Sequence, residues 1–329
     1  MESAEDRLIA RFFRPLATHP GALGLRDDAA FLVPPAGHDL VLKTDAVVAG
    51  IHTFPDDPPS ALARRALRVN LSDLAAKGAK PAAFLVSAAF PGDIDEAWLQ
   101  SFTDGLRADA EAFGCALMGG DTDRTPGPAT VAVFMVGWVP HGEMVQRAGA
   151  RAGDAVLVTG TIGDAALGLV LRKEEGLARQ WALTEAQCAF LLDRYLLPQP
   201  RVSLADILRA HAHAAMDISD GLVGDLAKLC RVSGVSADID VARIPLSEAG
   251  RRAVEADAGM LTTALTGGDD YELICVMASD RVDSFRMQAE RVGIPATVIG
   301  RIVAGNEEPR FIDGQGRAMA FVRGSFSHF

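Results

Sequence analysis

The chain has 329 residues, 49% of them hydrophobic and 23% charged, with a formal net charge of -11. That length and balance predict a folded globular protein of two domains with a sizeable core. The acidic surplus supplies no basic stripe for a nucleic acid or an anionic membrane surface, and no apolar run reaches membrane-spanning length.

In chain order, the acidic N-terminus lacks the apolar segment of a signal peptide, so a cytoplasmic location is expected. Residues 29–33 and 39–48 read as strands around a Pro-Pro-Ala-Gly turn, with His52 in the loop beyond. Leu67, Leu71, Leu74 and Ala75 have helical spacing within 60–77, and Asn70, Asp73 and Lys77 share a neighbouring face. An apolar run at 82–90, a helix from about 94 to 113, and strands at 115–119 and 129–139 complete a mixed α/β unit over residues 1–149. The second unit, 150–329, opens on a strand at 155–159. Gly160-Thr-Ile-Gly163-Asp164 follows and reads as an ordinary turn into a helix, though its free amides could hold an anion. After the rigid Leu197-Pro-Gln-Pro200 link comes a strand at 214–218. Ser219 is the expected N-cap of a helix that turns Leu222, Leu226 and Leu229 inward. Apolar runs at 272–277 and 296–303 finish an α+β domain. Cys115, Cys188, Cys230 and Cys275 are far apart and read as buried thiols in a reducing compartment, not as a disulfide framework or a zinc site.

The informative feature is a repeated association of acids with glycines or small residues. It occurs at Asp27-Asp28-Ala-Ala, Gly119-Gly120-Asp121-Thr122-Asp123, Asp217-Ile-Ser-Asp220-Gly221 and Gly267-Gly268-Asp269-Asp270-Tyr271-Glu272. One such cluster alone would be a turn or a helix cap. Four of them, with Asp45 and Asp73, point to carboxylates that converge and therefore need cations, and hard oxygen donors favour Mg2+ or Ca2+. The glycines would admit a phosphate close to the backbone. Neither a P-loop nor a Gly-x-Gly-x-x-Gly fingerprint is present, and His211 and His213 read as core or surface residues.

These blocks also carry a resemblance. Asp27-Asp28-Ala-Ala, Thr44-Asp45, Val48-Ala-Gly-Ile-His52, Val69-Asn-Leu-Ser-Asp73, Gly119-Gly-Asp121-Thr122, Val158-Thr-Gly-Thr-Ile-Gly-Asp164, Asp217-Ile-Ser-Asp220-Gly-Leu and Gly267-Gly-Asp-Asp-Tyr-Glu-Leu273 together resemble the bacterial thiamine-monophosphate kinases. The ordered match runs from about residue 5 to the C-terminal Ser-His-Phe329, and single blocks are similar to other members of the aminoimidazole-ribonucleotide-synthetase-like superfamily. The resemblance implies an N-terminal α/β domain whose sheet pairs across a homodimer, and an active-site cleft against the C-terminal α+β domain. It implies transfer of the ATP γ-phosphoryl group to thiamine monophosphate with several Mg2+ ions. By position, Asp28, Thr44, Asp45, Asp73, Asp121, Asp217 and Asp220 fall on metal ligands. Asp45, Asp73, Asp121 and Asp220 are the residues on which catalysis is expected to depend. Gly120, Asp121, Arg147 and Ser219 fall on nucleotide contacts, and His52 and Asp269 on contacts to the thiamine phosphate.

Several positions depart from the family pattern. Arg26 replaces a glycine, Asp269 a glutamate, Lys43 a small polar residue, and Arg323 an aromatic substrate contact. Residues two apart on a strand face the same side, so Lys43 and Asp45 share one. The Lys43 ammonium either supplies a fixed charge where relatives place a metal ion, or reaches solvent on its long stem.

The chemistry agrees with this resemblance. A phosphate monoester has a second pKa near 6 and is already an anionic nucleophile at neutral pH, so no general base is needed. The obstacle is repulsion between phosphates, which explains a site rich in aspartate and poor in bases. Two rival readings remain, a sister ATP-dependent synthetase of the same fold and a non-catalytic Mg-nucleotide-binding regulator.

Overall fold

The computed structural model describes residues 3–322, 324 and 325. The chain divides into two compact units, 1–74 with 79–143, and 75–78 with 144–329.

The first unit runs α1 (Ala4–Leu8), β1 (His38–Val48), α2 (Pro59–Ala76), β2 (Lys80–Pro91), α3 (Glu96–Phe113), β3 (Ala116–Thr125) and β4 (Thr130–Pro140). Its four strands lie in the order β1-β4-β2-β3. The β1–β4 and β4–β2 pairs are antiparallel and β2–β3 is parallel. In α2, Ala63, Leu67, Leu71 and Leu74 are wholly buried at helical spacing, and Gly78 in the left-handed region ends the turn. Leu74 packs so closely on Gly137 of β4 that a Cβ there would meet it at 3.0 Å. This fixes α2 to the sheet face that carries Val41, Lys43 and Asp45. The N-cap of α3 is Asp95, which accepts from Trp98 N at 2.8 Å, and Gly114 closes the helix in the left-handed region.

The expected strand at 29–33 is absent; that segment is irregular. Pro34 and Pro35 lack amide donors, Phe31 N donates to Gly21 O instead of to a strand, and Phe31 and Val33 are exposed.

The second unit contains β5 (Ala155–Thr159), α4 (Asp164–Lys173), α5 (Leu177–Gln180), α6 (Glu185–Leu196), α7 (Ala205–His211) and β6 (Ala214–Asp217). It continues with α8 (Leu222–Ser233), β7 (Ser236–Asp240), α9 (Glu248–Ala256), α10 (Gly259–Thr266), β8 (Leu273–Met277), α11 (Val282–Arg291), β9 (Ala296–Val303) and β10 (Arg310–Ile312). Its six-stranded sheet has the order β10-β7-β9-β5-β8-β6, with only the β10–β7 pair parallel. β5 and β8 are buried at every residue, so both read as continuous apolar runs without alternation. One core cluster gathers Val156, Val158 and Ile274 from the sheet with Leu222, Leu226 and Leu229 of α8. A second collects Leu157, Cys275 and Met277 with Leu204, Leu208 and Phe285. All four cysteines are free; Cys115, Cys230 and Cys275 are buried and Cys188 is partly exposed. Among the described residues, no helix is long and apolar enough to cross a membrane.

Candidate active site

In the first unit a cleft of about 700 Å³ opens on one face of the sheet. Asp28, Thr44, Gly119, Gly120 and Asp121 line it, with Phe134 in its apolar part. The strand register explains the company. Thr44 pairs with Phe134, Phe134 with Leu85, and Leu85 with Gly119, and paired residues share a face. Thr44 and Asp121 nevertheless stand on the two outermost strands, β1 and β3. Three strand spacings separate them by about 14 Å, too far for both to bind one ion. Gly120 has a structural reason to be glycine, because a Cβ there would lie 1.8 Å from Val86 O of the paired strand.

Asp45 faces away from this cleft. Its Oδ2 lies 3.1 Å from Lys43 Nζ, which is also 3.0 Å from Asp73 Oδ2 on α2. Burial disfavours the Lys43 ammonium, but the charges of Asp73 and Asp45 and their hydrogen bonds outweigh it and raise the lysine pKa above its ordinary value. Asn70, on the same helix, is wholly buried and donates to Ala66 O at 2.9 Å. His52 sits in the turn after β1 and its Nδ1 accepts from Val48 N at 2.9 Å, which leaves the ring proton of the neutral imidazole on Nε2.

The second unit brings three segments together at the ends of β5, β6 and β8. Ser219 O accepts from Asp269 N at 2.8 Å, Ile218 O from Tyr271 N at 2.9 Å, and Glu272 O from Ile218 N at 2.8 Å. Gly268 is left-handed and so near Ser219 that a Cβ would meet its carbonyl oxygen at 2.4 Å. The 160–164 turn joins them: both carboxylate oxygens of Asp270 accept from Gly163 N at 2.9 Å, and Thr159 Oγ1 donates to Glu272 at 2.6 Å. That turn is therefore part of the acidic region's framework.

Within Gly267–Glu272 the acids divide their work. Glu272 is buried and paired with Arg201, whose Nε donates to it at 2.7 Å. Desolvation pushes the Asp270 carboxyl well above the ordinary range, against the lowering effect of the Gly163 amide. Asp269 is partly exposed and has φ 65°, a backbone region that favours glycine or Asn/Asp. Tyr271 is also left-handed, at φ 52°.

Asp217 is buried at the end of β6, whereas Asp220 is partly exposed and ion-paired with Lys228. Helix α8 begins at Leu222, and Gly221, not Ser219, flanks it. The capping role falls to Asp225, whose wholly buried carboxylate accepts from the amides of Ser219, Asp220 and Gly221 at 3.0, 2.9 and 3.1 Å. A carboxylate at a helix N-terminus satisfies amides that have no partner within the helix and interacts favourably with the positive end of the helix dipole. Lys228 Nζ lies 2.9 Å from its other oxygen. Burial pushes the Asp225 carboxyl up, and Lys228 only partly offsets this. Arg147 is exposed, and only its carbonyl has a described hydrogen bond, from Ser233 Oγ at 3.5 Å. Among the described residues, no group of three or more His, Cys, Asp or Glu side chains stands ready to hold a metal. His211 and His213 are held by Ile207 O and the Asp154 carboxylate, respectively. Arg323 lies outside the described residues.

The sequence reading missed Asp225, Lys228 and Arg201. A signal existed for Asp225: a charged residue beside Leu226, on the inward face of an amphipathic helix, demands a buried partner. Lys228, three residues on, lies within reach.

Comparison with known proteins fits this architecture. Residues 26–139 match the AIR synthase related protein N-terminal domain and residues 151–312 the corresponding C-terminal domain, so the chain has the fold of that superfamily. A thiamine-monophosphate kinase of Caulobacter vibrioides is 39% identical over 93% of this chain and 86% of its own length. The crystal structure of thiamine-monophosphate kinase from Stenotrophomonas maltophilia superposes with a TM-score of 0.82 at 38% identity, over 95% of this chain and 96% of that one. AaThiL complexed with AMPPCP and TMP gives 0.76 at 31% identity, over 92% and 91%. The chain belongs to the thiamine-monophosphate kinase family.

Proposed function

We propose that this chain transfers the γ-phosphoryl group of ATP to the phosphate of thiamine monophosphate, giving thiamine diphosphate and ADP by direct in-line transfer. The observation that carries this reading is the likeness, across more than nine-tenths of both chains, to AaThiL solved with AMPPCP and TMP. AMPPCP is a non-transferring analogue of ATP, so that complex pairs a nucleotide with a second phosphate compound.

The oxygen donors of Asp28, Thr44 and Asp121 suit Mg2+, a hard cation that keeps several waters and binds through one or two carboxylates plus substrate phosphates. Asp217 and Asp220 would offer the second unit's donors. When bound, Mg2+ supplies the positive charge that lets two phosphate groups approach. The chain's own part is to hold and orient. Gly120, Asp121, Arg147 and Ser219 would take the nucleotide, and His52 and Asp269 the thiamine phosphate. With its proton on Nε2, His52 would donate a hydrogen bond to an anionic oxygen. Asp45 and Asp73 share Lys43 on the other face of the sheet and Asp220 pairs with Lys228; with Asp121, these are the aspartates on which catalysis would depend. Catalysis at four aspartates without a base agrees with an acceptor that is already ionised.

A homodimer and a cytoplasmic setting belong to the same proposal. Leu40, Leu42, Leu85 and Phe134 are exposed on the sheet face that carries the cleft, and β1 is an edge strand. An apolar face of this kind supports the homodimer reading, and free, mostly buried thiols support a reducing compartment. The deciding assay is ADP release on adding thiamine monophosphate in the presence of Mg2+ and ATP. Nucleotide binding without such release would favour a regulator, and release with a different acceptor would favour a sister synthetase.

A further inference from the structure

Asp45 and Asp73 come from different elements, strand β1 and helix α2, and meet on the sheet face away from the cleft. Between them stands one cation that the chain itself supplies. Lys43 Nζ is 3.1 Å from Asp45 Oδ2 and 3.0 Å from Asp73 Oδ2. Its side chain is 30% exposed, against 47% for Asp45 and 22% for Asp73. Of the two directions open to this lysine, the structure has the ammonium between the carboxylates and not carried out to solvent.

A magnesium ion bridging the same two oxygens would need contacts of about 2.0–2.1 Å and would lie within the volume of the ammonium. The two cations exclude one another there by size and by repulsion. Two carboxylates with one ammonium carry a single net negative charge, where the bare pair would carry two. Asp220 and Lys228 in the second unit do not form an equivalent pair, because Lys228 also compensates Asp225, which is committed to three backbone amides.

We propose that Lys43 is a built-in cation that occupies the Asp45–Asp73 pair, so that this chain binds one fewer divalent ion than it would with a neutral residue at position 43. The inference rests on the kinase reading for its catalytic consequence but not for the ion count. In that reaction Lys43 is a positioning residue: it holds the two carboxylates in one arrangement with no metal ion between them. Activity should therefore reach its half-maximum at lower Mg2+ than a neutral variant needs.

The test counts Mn2+ bound per chain, by electron paramagnetic resonance and titration calorimetry, with AMPPCP present and no acceptor. The proteins compared are the wild type, Lys43→Ser, Lys43→Gln and Lys43→Arg. One additional Mn2+ in the two neutral variants, the wild-type count in Lys43→Arg, and a severalfold rise in the Mg2+ needed by the neutral variants are expected. An unchanged count in either folded neutral variant overturns the proposal, as does an extra ion in Lys43→Arg. Two neutral variants are used so that one poorly folding protein does not decide the matter. If the wild type releases no ADP with thiamine monophosphate, the kinase reading fails, while the Mn2+ counts still decide the role of Lys43.

Discussion

Thr44 and Asp45 are adjacent in the chain and serve opposite faces of one sheet. Thr44 lines the cleft, whereas Asp45 meets Lys43 and, through it, Asp73 of α2. Strand alternation imposes this, so the Thr-Asp pair contributes to two separate places, and only Thr44 shares one with Asp121.

Asp121 lines the cleft beside two glycines, and the proposed function makes it a metal ligand. Asp121→Asn is expected to lower kcat by about a hundredfold or more, since each 1.4 kcal/mol of lost transition-state stabilisation is tenfold in rate. The fold should be intact, as the residue is exposed. Steady-state kinetics at saturating Mg2+ check this, and near-normal turnover would remove Asp121 from the metal site.

At Asp269 the backbone and the carboxylate can be separated. Glycine accepts φ 65° without strain and alanine does not, yet both remove the carboxylate. If the carboxylate contacts the acceptor, Asp269→Gly and Asp269→Ala both raise KM for thiamine monophosphate more than KM for ATP. A Gly variant with wild-type kinetics beside a damaged Ala variant would assign Asp269 to the turn alone.

Removing the Asp225 side chain deprives three amides of their acceptor and leaves the Lys228 ammonium with Asp220 alone. Breaking such a buried charged network costs about 3 kcal/mol or more. Asp225→Ala is thus expected to lower Tm by roughly 10 °C at 2–4 °C per kcal/mol for a unit of this size, and Asp225→Asn by less. Differential scanning calorimetry measures both, and a loss of only a degree or two in the Ala variant would contradict the network.

The pH dependence of stability has a definite sign at Asp270. Its folded-state pKa is raised, so between the ordinary carboxylate value and the folded one the native state holds more protons than the unfolded chain. Stability from this group is therefore greatest in acid and declines as pH rises through the folded value. Asp270→Asn lacks that decline. Measured against the wild type, its Tm should compare better at pH 7 than at pH 4, and the reverse ordering would refute the shift.

The legibility of this protein followed the kind of signal each part carries. Helix α2 was readable because Leu67, Leu71 and Leu74 repeat at helical spacing, and β5 and β8 because they are short apolar runs between turns. The 29–33 segment looked extended by composition, but strand formation needs a neighbour to pair with, and two prolines follow it. Ser219 has the chemistry of a cap, yet Asp225 took the role from within the helix because a buried carboxylate can reach three amides at once. The acidic motifs do not say which of their acids turn inward. Asp270 and Glu272 are bound to Gly163, Thr159 and Arg201, contacts between residues far apart in sequence that no local pattern encodes.

One division of the chain bears on how the protein can be cut. Residues 75–78 belong with the second unit although the rest of α2 belongs with the first. Lys77 Nζ donates to Ala215 O at 2.8 Å, Lys77 O accepts from Val145 N at 3.1 Å, and Gly78 O accepts from Arg209. A single break between 143 and 144 would therefore not yield two finished halves. The downstream fragment would lack the four-residue patch that covers β6 and α7, leaving the Ala215 carbonyl and the Arg209 guanidinium exposed to water or to misassembly. For gene-splitting, tag insertion or limited proteolysis, the chain behaves as interlaced pieces, and its halves are best produced in one continuous polypeptide.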